Sequence, residues 1–228
     1  MVLRIAIVLV LYVTILPTRA QWQVKVGASQ VSARDPIGLA HGSRTGRGVY
    51  GVGYHVGVGY GYRWSESFGL RGEMLLDMRN CGYEIRNQDL PFSLPGTEYV
   101  FSNGDRIMEL THVVAPLLVS FHRWPRLRVD GGLSGAYLLR ARETIHGQLL
   151  ELNADRRVRK AVDRTSQLAP VELALVLGAE VDSGRRLGMG VRFHYGLSDI
   201  DARMGGSPSY LRTWHVSFSY SFQGRDPG

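Results

Sequence analysis

Hydrophobic and polar residues alternate along most of this chain with a period of two, which is the period of a β-strand. Between Val52 and Tyr62, for example, Val and Tyr occupy one face, whereas glycines and His55 occupy the other. The alternation is least clean at 107–121, where both faces are apolar and Pro116 lies in the middle. Eight strands are predicted, over residues 21–28, 52–62, 68–79, 107–121, 127–140, 171–181, 187–198 and 214–222.

The two faces of these strands differ in a way that a water-soluble barrel or sandwich would not require. A soluble fold, lipocalin-like barrels included, turns its apolar face inward and its charges to water. Here the polar face combines glycine, serine and nearly balanced charges, which suits an enclosed core where charges are paired and large side chains need small neighbours. We predict an all-β fold, an eight-stranded antiparallel up-and-down transmembrane β-barrel with a polar, side-chain-filled interior. A soluble β domain is the alternative.

The lumen of such a barrel would hold a polar network drawn from most of the strands. Its predicted members are Arg71, Glu73, Asp77, Arg79, Arg128, Asp130, Glu172, Glu180, Arg192, His194 and His215, with Lys25 and Arg140 on the same face. Since eight strands enclose a space that side chains can fill, we expect no open pore.

Short and long connections alternate between the predicted strands. The short ones are 63–67, 122–126 and 182–186, and the long ones are 29–50, 80–106, 141–169 and 199–212. Bacterial outer-membrane barrels keep short turns in the periplasm and long loops outside the cell. Aromatic residues gather near the short-turn side, as an interfacial girdle would require: Trp22, Tyr62, Trp64, Phe121, Trp124, Tyr220 and Phe222. Antiparallel counting across the first short turn predicts that Tyr62 pairs with Phe68 and Gly59 with Arg71.

The first twenty residues have the three parts of a secretory signal peptide. Arg4 precedes an apolar run at 5–16, and the segment ends Thr18-Arg19-Ala20, so we expect cleavage before Gln21. An uncleaved anchor is the alternative, although the run is shorter than the roughly 20 residues of a spanning helix. The predicted organisation is a signal peptide at 1–20, an outer-membrane barrel domain at 21–222 and a short tail at 223–228. Sec-type export would deliver the protein to the bacterial outer membrane.

Composition narrows the possible partners. The formal net charge of +7 suits nucleic acid or anionic lipid, and export removes the case for nucleic acid. Cys81 is the only cysteine, so the chain can form neither an intramolecular disulfide nor a thiolate metal site. We expect contacts with outer-membrane lipid and lipopolysaccharide, and with other envelope or secretion proteins. The oligomeric state stays open.

Two histidines form the best local constellation. If Leu187 pairs with Phe222, His194 and His215 lie directly opposite each other on the inward face. Such a pair could share a metal ion, with His55 as a conceivable third ligand, or it could be hydrogen-bonded filler. Because no third ligand is evident from the sequence, we predict no bound metal ion. We also predict no cofactor and no catalytic residue.

Two further features leave alternatives open. His194, Ser198 and Asp199 could form a lipid-modifying or ligand-binding site at the extracellular rim, as in small barrels that transfer acyl chains. The densest basic run lies in the third long loop, where it is either a contact for lipopolysaccharide phosphates or an acidic partner, or an ordinary solvated loop. Its members are Arg156, Arg157, Arg159, Lys160 and Arg164.

Three segments resemble the PorT-like outer-membrane β-barrel proteins of Bacteroidetes. They are 108–121 (MELTHVVAPLLVSF), 190–200 (GVRFHYGLSDI) and 214–222 (WHVSFSYSF). The resemblance implies an integral outer-membrane protein without catalytic residues and a place in a secretion assembly. We therefore expect a structural or interaction role at the cell envelope.

Overall fold

A computed structural model describes residues 20–34, 47–85, 92–93, 100–149, 157–183, 186–200 and 210–222. The strands are β1 (Ala20–Arg34), β2 (Arg47–Arg63), β3 (Phe68–Ile85), β4 (Phe92–Ser93), β5 (Val100–Phe121), β6 (Leu127–Leu149), β7 (Arg157–Asp163), β8 (Val171–Asp182), β9 (Leu187–Gly196) and β10 (Tyr210–Ser221), with a 3-10 helix at Thr165–Gln167. Residues 1–19 of the predicted signal peptide and the predicted tail lie outside the described residues. Within those ranges, no helix has the length and hydrophobicity needed to cross a membrane.

Eight of the strands close into an antiparallel barrel in the order β1, β2, β3, β5, β6, β8, β9 and β10, with β10 pairing back to β1. Starting at Phe68, the paired residues Phe121, Val129, Ala179, Val191, Val216, Ala28 and Tyr54 lead around the barrel to Met78 of the starting strand. This stagger of ten residues, from 68 to 78, tilts the strands, as closure of a membrane barrel requires. The predicted fold class is confirmed.

The outer surface of the barrel carries the apolar face of each strand. Leu133 and Phe218 are each 58% exposed on it, whereas Asp77 and Asp130 are completely buried inside. Aromatic pairs lie near the short turns, among them Phe68 with Phe121, at a ring-centroid distance of 5.2 Å. Only lipid makes such an exterior stable together with such an interior, so this apolar belt faces the membrane.

Several strands continue beyond the predicted ends, on the side of the long connections. The prediction of loops at 29–50, 80–106, 141–169 and 199–212 is therefore wrong in part, since β1, β2, β3, β5, β6 and β10 extend into them and β4 and β7 lie within them. We call the apolar-belted part the membrane segment (residues 22–29, 52–62, 68–79, 112–121, 127–137, 171–181, 187–196 and 213–222). The described residues beyond it on the long-connection side form the extracellular segment.

Polarity is reversed in the extracellular segment. Glu109 and Arg142 are exposed on its exterior, whereas Met108 and Leu110 are buried. The buried apolar cluster, which we call the apolar cap, consists of Val31, Cys81, Met108, Leu110, Leu138, Ala141, Leu168, Ile200 and Leu211. Since water surrounds this part of the barrel, its interior packs like that of a soluble protein. This explains part of why both faces of 107–121 are apolar: the outer face meets lipid, while on the inner face Met108 and Leu110 meet the cap. Further along the inner face, Val114 packs with Leu75 and Ala136 inside the membrane segment.

The first hairpin differs from the predicted register by two residues, because Tyr62 pairs with Leu70 instead of Phe68. Hydrogen bonds within the turn account for the difference. The Phe68 carbonyl accepts the amides of Trp64 and Ser65, each at 3.2 Å, and the Phe68 amide donates to Ser65 Oγ at 2.9 Å. These hydrogen bonds hold Phe68 in the turn, so it does not pair with Tyr62 of β2.

The last hairpin is shifted by the same amount, with Leu187 opposite Tyr220 instead of Phe222. The Phe222 amide donates to the Trp22 carbonyl of β1 at 3.1 Å, so Phe222 is hydrogen-bonded to β1 and not to β9.

Arg140 also departs from the prediction. A register irregularity between Thr111 and His112 turns Arg140 to the exterior, where it is exposed.

Candidate functional site

The lower lumen, on the short-turn side, is filled by a cluster of charged side chains that we call the ionic cluster. Its members are Lys25, Arg71, Glu73, Arg128, Asp130, Glu180 and Arg192, all buried. Glu73 is its centre. Arg192 Nη1 donates to Glu73 Oε2 at 2.5 Å and Arg192 Nη2 to Oε1 at 3.0 Å, while Lys25 Nζ lies 3.0 Å from Oε1. Such a shared carboxylate joins strands β1, β3 and β9 through side chains alone.

The remaining members are linked around two further carboxylates. Arg71 Nη1 lies 3.1 Å from both Asp130 Oδ2 and Glu180 Oε2, and Arg128 Nη2 lies 2.5 Å from Glu180 Oε2. Arg71 also donates to Gln23 Oε1. A buried charge is costly unless it is paired and hydrogen-bonded, and here each is paired.

Glycines make room for these side chains. A Cβ at Gly59, which pairs with Glu73, would lie 3.2 Å from Glu73 Cγ. A Cβ at Gly178 would lie 2.4 Å from Arg192 Cγ. Small residues lie beside large ones, as predicted, but the observed register places Gly59 beside Glu73 rather than Arg71.

A second charged group lies nearer the extracellular segment. Arg79 Nε donates to Asp77 Oδ2 at 2.7 Å, and Arg79 Nη1 donates to Glu172 Oε2 at 2.8 Å. His112 is buried and pairs across the strands with Asp77. The structure thus places the members of the predicted lumen network inside the barrel, the charged ones in two groups separated along its axis, while Arg140 lies outside.

A layer of histidines lies between the two charged groups. His215 stacks on His55, with ring centroids 4.6 Å apart, and also contacts His194, at 4.5 Å. His194 and His215 are not directly opposite, as the predicted register would have placed them: His215 pairs with Arg192 and His194 with Thr213. They are neighbours on the diagonal instead.

Gly27 explains how His55 reaches His215 although β1 lies between their strands. Gly27 pairs with His55, and a Cβ there would lie 2.7 Å from His55 Cε1. The imidazole therefore passes over a residue with no side chain. Asp77 joins the group, since its Oδ2 lies 3.2 Å from His215 Nε2.

The residues of the hypothetical rim site are not brought together. His194 is buried in the lumen, with Nδ1 3.4 Å from Ser134 Oγ. Ser198 Oγ accepts the Leu173 amide at 2.8 Å, and Asp199 is exposed. The described structure therefore has no His-Ser-Asp arrangement at this rim.

Three members of the basic run, Arg157, Arg159 and Lys160, lie in a strand and not in a loop. Residues 157–163 form β7 and pair with 142–148 of β6, and Arg159 is exposed. Arg164 is held differently, because its Nε donates to Glu143 Oε2 at 2.8 Å. Arg156 lies outside the described residues. Arg164 is thus part of the framework, while Arg159 is open to a partner.

Smaller polar residues, which are not among the predicted site residues, complete the network. Ser120 Oγ donates to Asp130 at 2.6 Å, Ser219 Oγ donates to Glu180 at 2.8 Å, and Ser217 Oγ is hydrogen-bonded to His55 Nε2 at 2.9 Å. These serines lie on the inward faces of their strands, so the alternation of polar and apolar positions could have identified them.

The closed barrel, its apolar belt and its filled polar lumen define the class of this protein as an integral β-barrel of the bacterial outer membrane. The profile of the outer membrane protein beta-barrel domain matches residues 16–202, and the chain belongs to this family. None of the curated proteins matches the sequence significantly.

Several solved outer-membrane proteins are similar to this chain at low sequence identity. The attachment invasion locus protein Ail of Yersinia pestis, solved with the heparin analogue sucrose octasulfate, is 12% identical, with a TM-score of 0.46 over 90% of this chain and 100% of Ail. Neisserial surface protein A is 12% identical, with a TM-score of 0.44 over 89% and 99% of the two chains. OprG from Pseudomonas aeruginosa is 12% identical, with a TM-score of 0.41 over 90% and 97%.

Proposed function

We propose that this protein is an interaction scaffold of the outer membrane, whose binding surface lies on the extracellular segment. The filled lumen is the observation that carries the proposal. Paired charges occupy the lower lumen and the apolar cap occupies the upper part, so the interior is committed to holding the barrel together. A rigid barrel of this kind is suited to presenting its outer parts to a partner.

The chemistry of β7 favours an anionic partner. In the described structure β7 pairs only with β6, so it is an edge strand. Its first half carries Arg157, Arg159 and Lys160, and Arg156 precedes it in the sequence. Basic side chains on an edge discourage aggregation through the edge, and they also attract phosphate or carboxylate groups. We propose lipopolysaccharide phosphates as the ligand, with an acidic segment of an envelope protein as the second possibility.

The test changes Arg156, Arg157, Arg159 and Lys160 to Ser in the intact barrel and leaves Arg164 with Glu143. The loss of four basic side chains, at about 0.2–1 kcal/mol for each ionic contact at a surface, predicts roughly tenfold weaker binding to lipopolysaccharide vesicles at low salt. The matched control changes three exposed arginines of the opposite turns, Arg123, Arg126 and Arg186. Equal binding by both variants and the unchanged protein would contradict the proposal.

The resemblance of three segments to PorT-like proteins supports a finer form of the proposal, membership in a secretion assembly. A pull-down in mild detergent tests this membership. It compares the intact unchanged barrel with the two variants of the preceding test, the one changed in the basic run and the control changed in the turns. Recovery of secretion components by the unchanged barrel supports membership. Recovery of lipid alone, while secretion is normal in cells that lack the protein, would contradict it.

We propose a non-catalytic role, because the structure separates the candidate rim residues. Ser198→Ala and His194→Gln should therefore leave the composition of lipid A unchanged, as measured by mass spectrometry. Signal-peptide cleavage before Gln21 is likewise a proposal, supported by the basic, apolar and small-residue parts of the sequence at 1–20. N-terminal sequencing of the protein from outer membranes tests it.

A further inference from the structure

The histidine layer brings together several side chains that can bind a metal ion. One potential ligand atom from each of His55, Asp77 and His215 lies within 4.8 Å of the others, and all three side chains are buried. His194 also contacts His215, with ring centroids 4.5 Å apart. Four strands, β2, β3, β9 and β10, thus direct an imidazole or a carboxylate to one level of the lumen.

The histidine layer also contains nitrogens that the protein does not use. Among the described residues, His55 Nδ1 and His194 Nε2 are buried without a hydrogen-bond partner. A buried polar atom without a partner costs about 1–3 kcal/mol, so a pair of them at one level requires an explanation. Imidazole nitrogen and carboxylate oxygen together are the donor set that Zn²⁺ and its neighbours in the transition series prefer.

We propose that His55, Asp77 and His215 bind a divalent transition-metal ion of the Zn²⁺ type, with His194 as the fourth ligand. Bonds of 2.0–2.1 Å in a tetrahedron place ligand atoms about 3.3 Å apart. The ligand atoms of the three residues would therefore draw together by up to ~1.5 Å, which rotation about side-chain bonds allows.

The surrounding residues support such a site. Ser217 Oγ is hydrogen-bonded to His55 Nε2, and Ser29 Oγ donates to Asp77 Oδ1 at 3.4 Å; groups of this kind orient metal ligands. Asp77 also pairs with Arg79, which a bound ion would displace from it. Arg79 would retain Glu172 as its partner, so displacement leaves no guanidinium unpaired.

The position of the site predicts how the ion enters. The apolar cap lies above it and the ionic cluster below it, so the part of the barrel that the structure describes offers no wide route for a hydrated ion. We expect the ion to enter while the barrel closes and to exchange slowly afterwards. Metal supplied during refolding should therefore be retained, and metal added to the folded barrel should bind much more slowly.

The experiment refolds the mature chain in detergent with Zn²⁺ or Co²⁺, removes free ion by gel filtration and measures metal per chain by mass spectrometry. Heat-dependent gel mobility reports folding in every sample. We expect one ion per folded chain, with the absorption of tetrahedral Co²⁺. His55→Gln and His215→Gln should each reduce affinity at least tenfold, and His146→Gln, at an exposed site on β6, should not change it.

Two results would overturn the proposal: a folded wild-type barrel that retains no ion, or stoichiometric binding that survives in folded His55→Gln and His215→Gln. Loss of binding in His146→Gln would move the site to the surface and also overturn it. For the fourth ligand, a changed Co²⁺ spectrum in His194→Gln supports its role, and an unchanged spectrum excludes it.

Discussion

The membrane segment and the extracellular segment are two parts of the same strands with opposite polarity. In the membrane segment Glu73 and Arg192 are sealed inside and Leu133 faces out, whereas in the extracellular segment Leu110 is sealed inside and Glu109 faces out. The alternation of a strand decides which residues share a face. The surrounding medium, lipid or water, decides whether that face is polar.

The difference also separates two ways of making a barrel rigid. The membrane segment is held by charge pairs with specific partners, so a slip of one residue would turn charges such as Arg71 and Glu73 into lipid. The extracellular segment is held chiefly by apolar packing, which has no directional preference, with the ion pair of Arg164 and Glu143 beside it. We infer that the ionic cluster specifies strand register and that the apolar cap stabilises the end that faces the cell exterior.

The largest expected effect comes from Glu73→Ala. This carboxylate contacts Lys25, Arg71 and Arg192 within 2.5–3.0 Å, and its loss leaves three cations without it in a site closed to water. We expect the free energy of unfolding to fall by about 3–5 kcal/mol, measured by urea unfolding in lipid vesicles with tryptophan fluorescence. Glu109→Ala, on the wet exterior, is the control and should change it by about 0.5 kcal/mol or less. Equal effects would show that water reaches both glutamates.

Leu110→Ala tests the apolar cap. Leu110 is 1% exposed, so truncation leaves a cavity, and we expect a loss of about 2–5 kcal/mol. Leu117→Ala, on the lipid-facing surface of the same strand, should cost far less because acyl chains fill the space that the side chain leaves. If both variants lost the same free energy, the upper lumen would not be a packed core.

Leu133→Arg tests the lipid boundary. Leu133 lies in the middle of the apolar belt, and an arginine there should cost about 2–4 kcal/mol. His146→Arg, on the exterior of β6 in the extracellular segment, should have little effect on unfolding in the same vesicles. A neutral result at Leu133 would place the belt in water and reverse the assignment of the two faces.

The sequence predicted the fold and the inward set of charges, because both follow from the period of two. It did not predict the extracellular segment, since apolar residues on both faces of 107–121 carry no sign of where lipid gives way to water. Register was missed by two residues at Phe68, where turn hydrogen bonds decide the pairing. The grouping of His55 with His215 depends on barrel stagger and on Gly27 in the strand between them, and neither can be read from one strand.

The smallest effect concerns Asp163, a carboxylate in the wet exterior. Its Oδ1 accepts the Thr165 amide at 2.9 Å and the Thr165 hydroxyl at 2.7 Å, and these hydrogen bonds hold the pKa of Asp163 below its usual value. Since the folded pKa is the lower one, the contact stabilises the turn above the unfolded pKa of about 4 and is lost as pH falls through the folded pKa. Carbon-13 titration of the carboxyl should show the low midpoint, which Thr165→Ser should keep and Thr165→Val should raise. Asp163→Asn should barely alter unfolding, because water solvates this carboxylate. A loss as large as that of Glu73→Ala would mean that the extracellular exterior is as closed to water as the lumen, and the contrast between the two segments would fail.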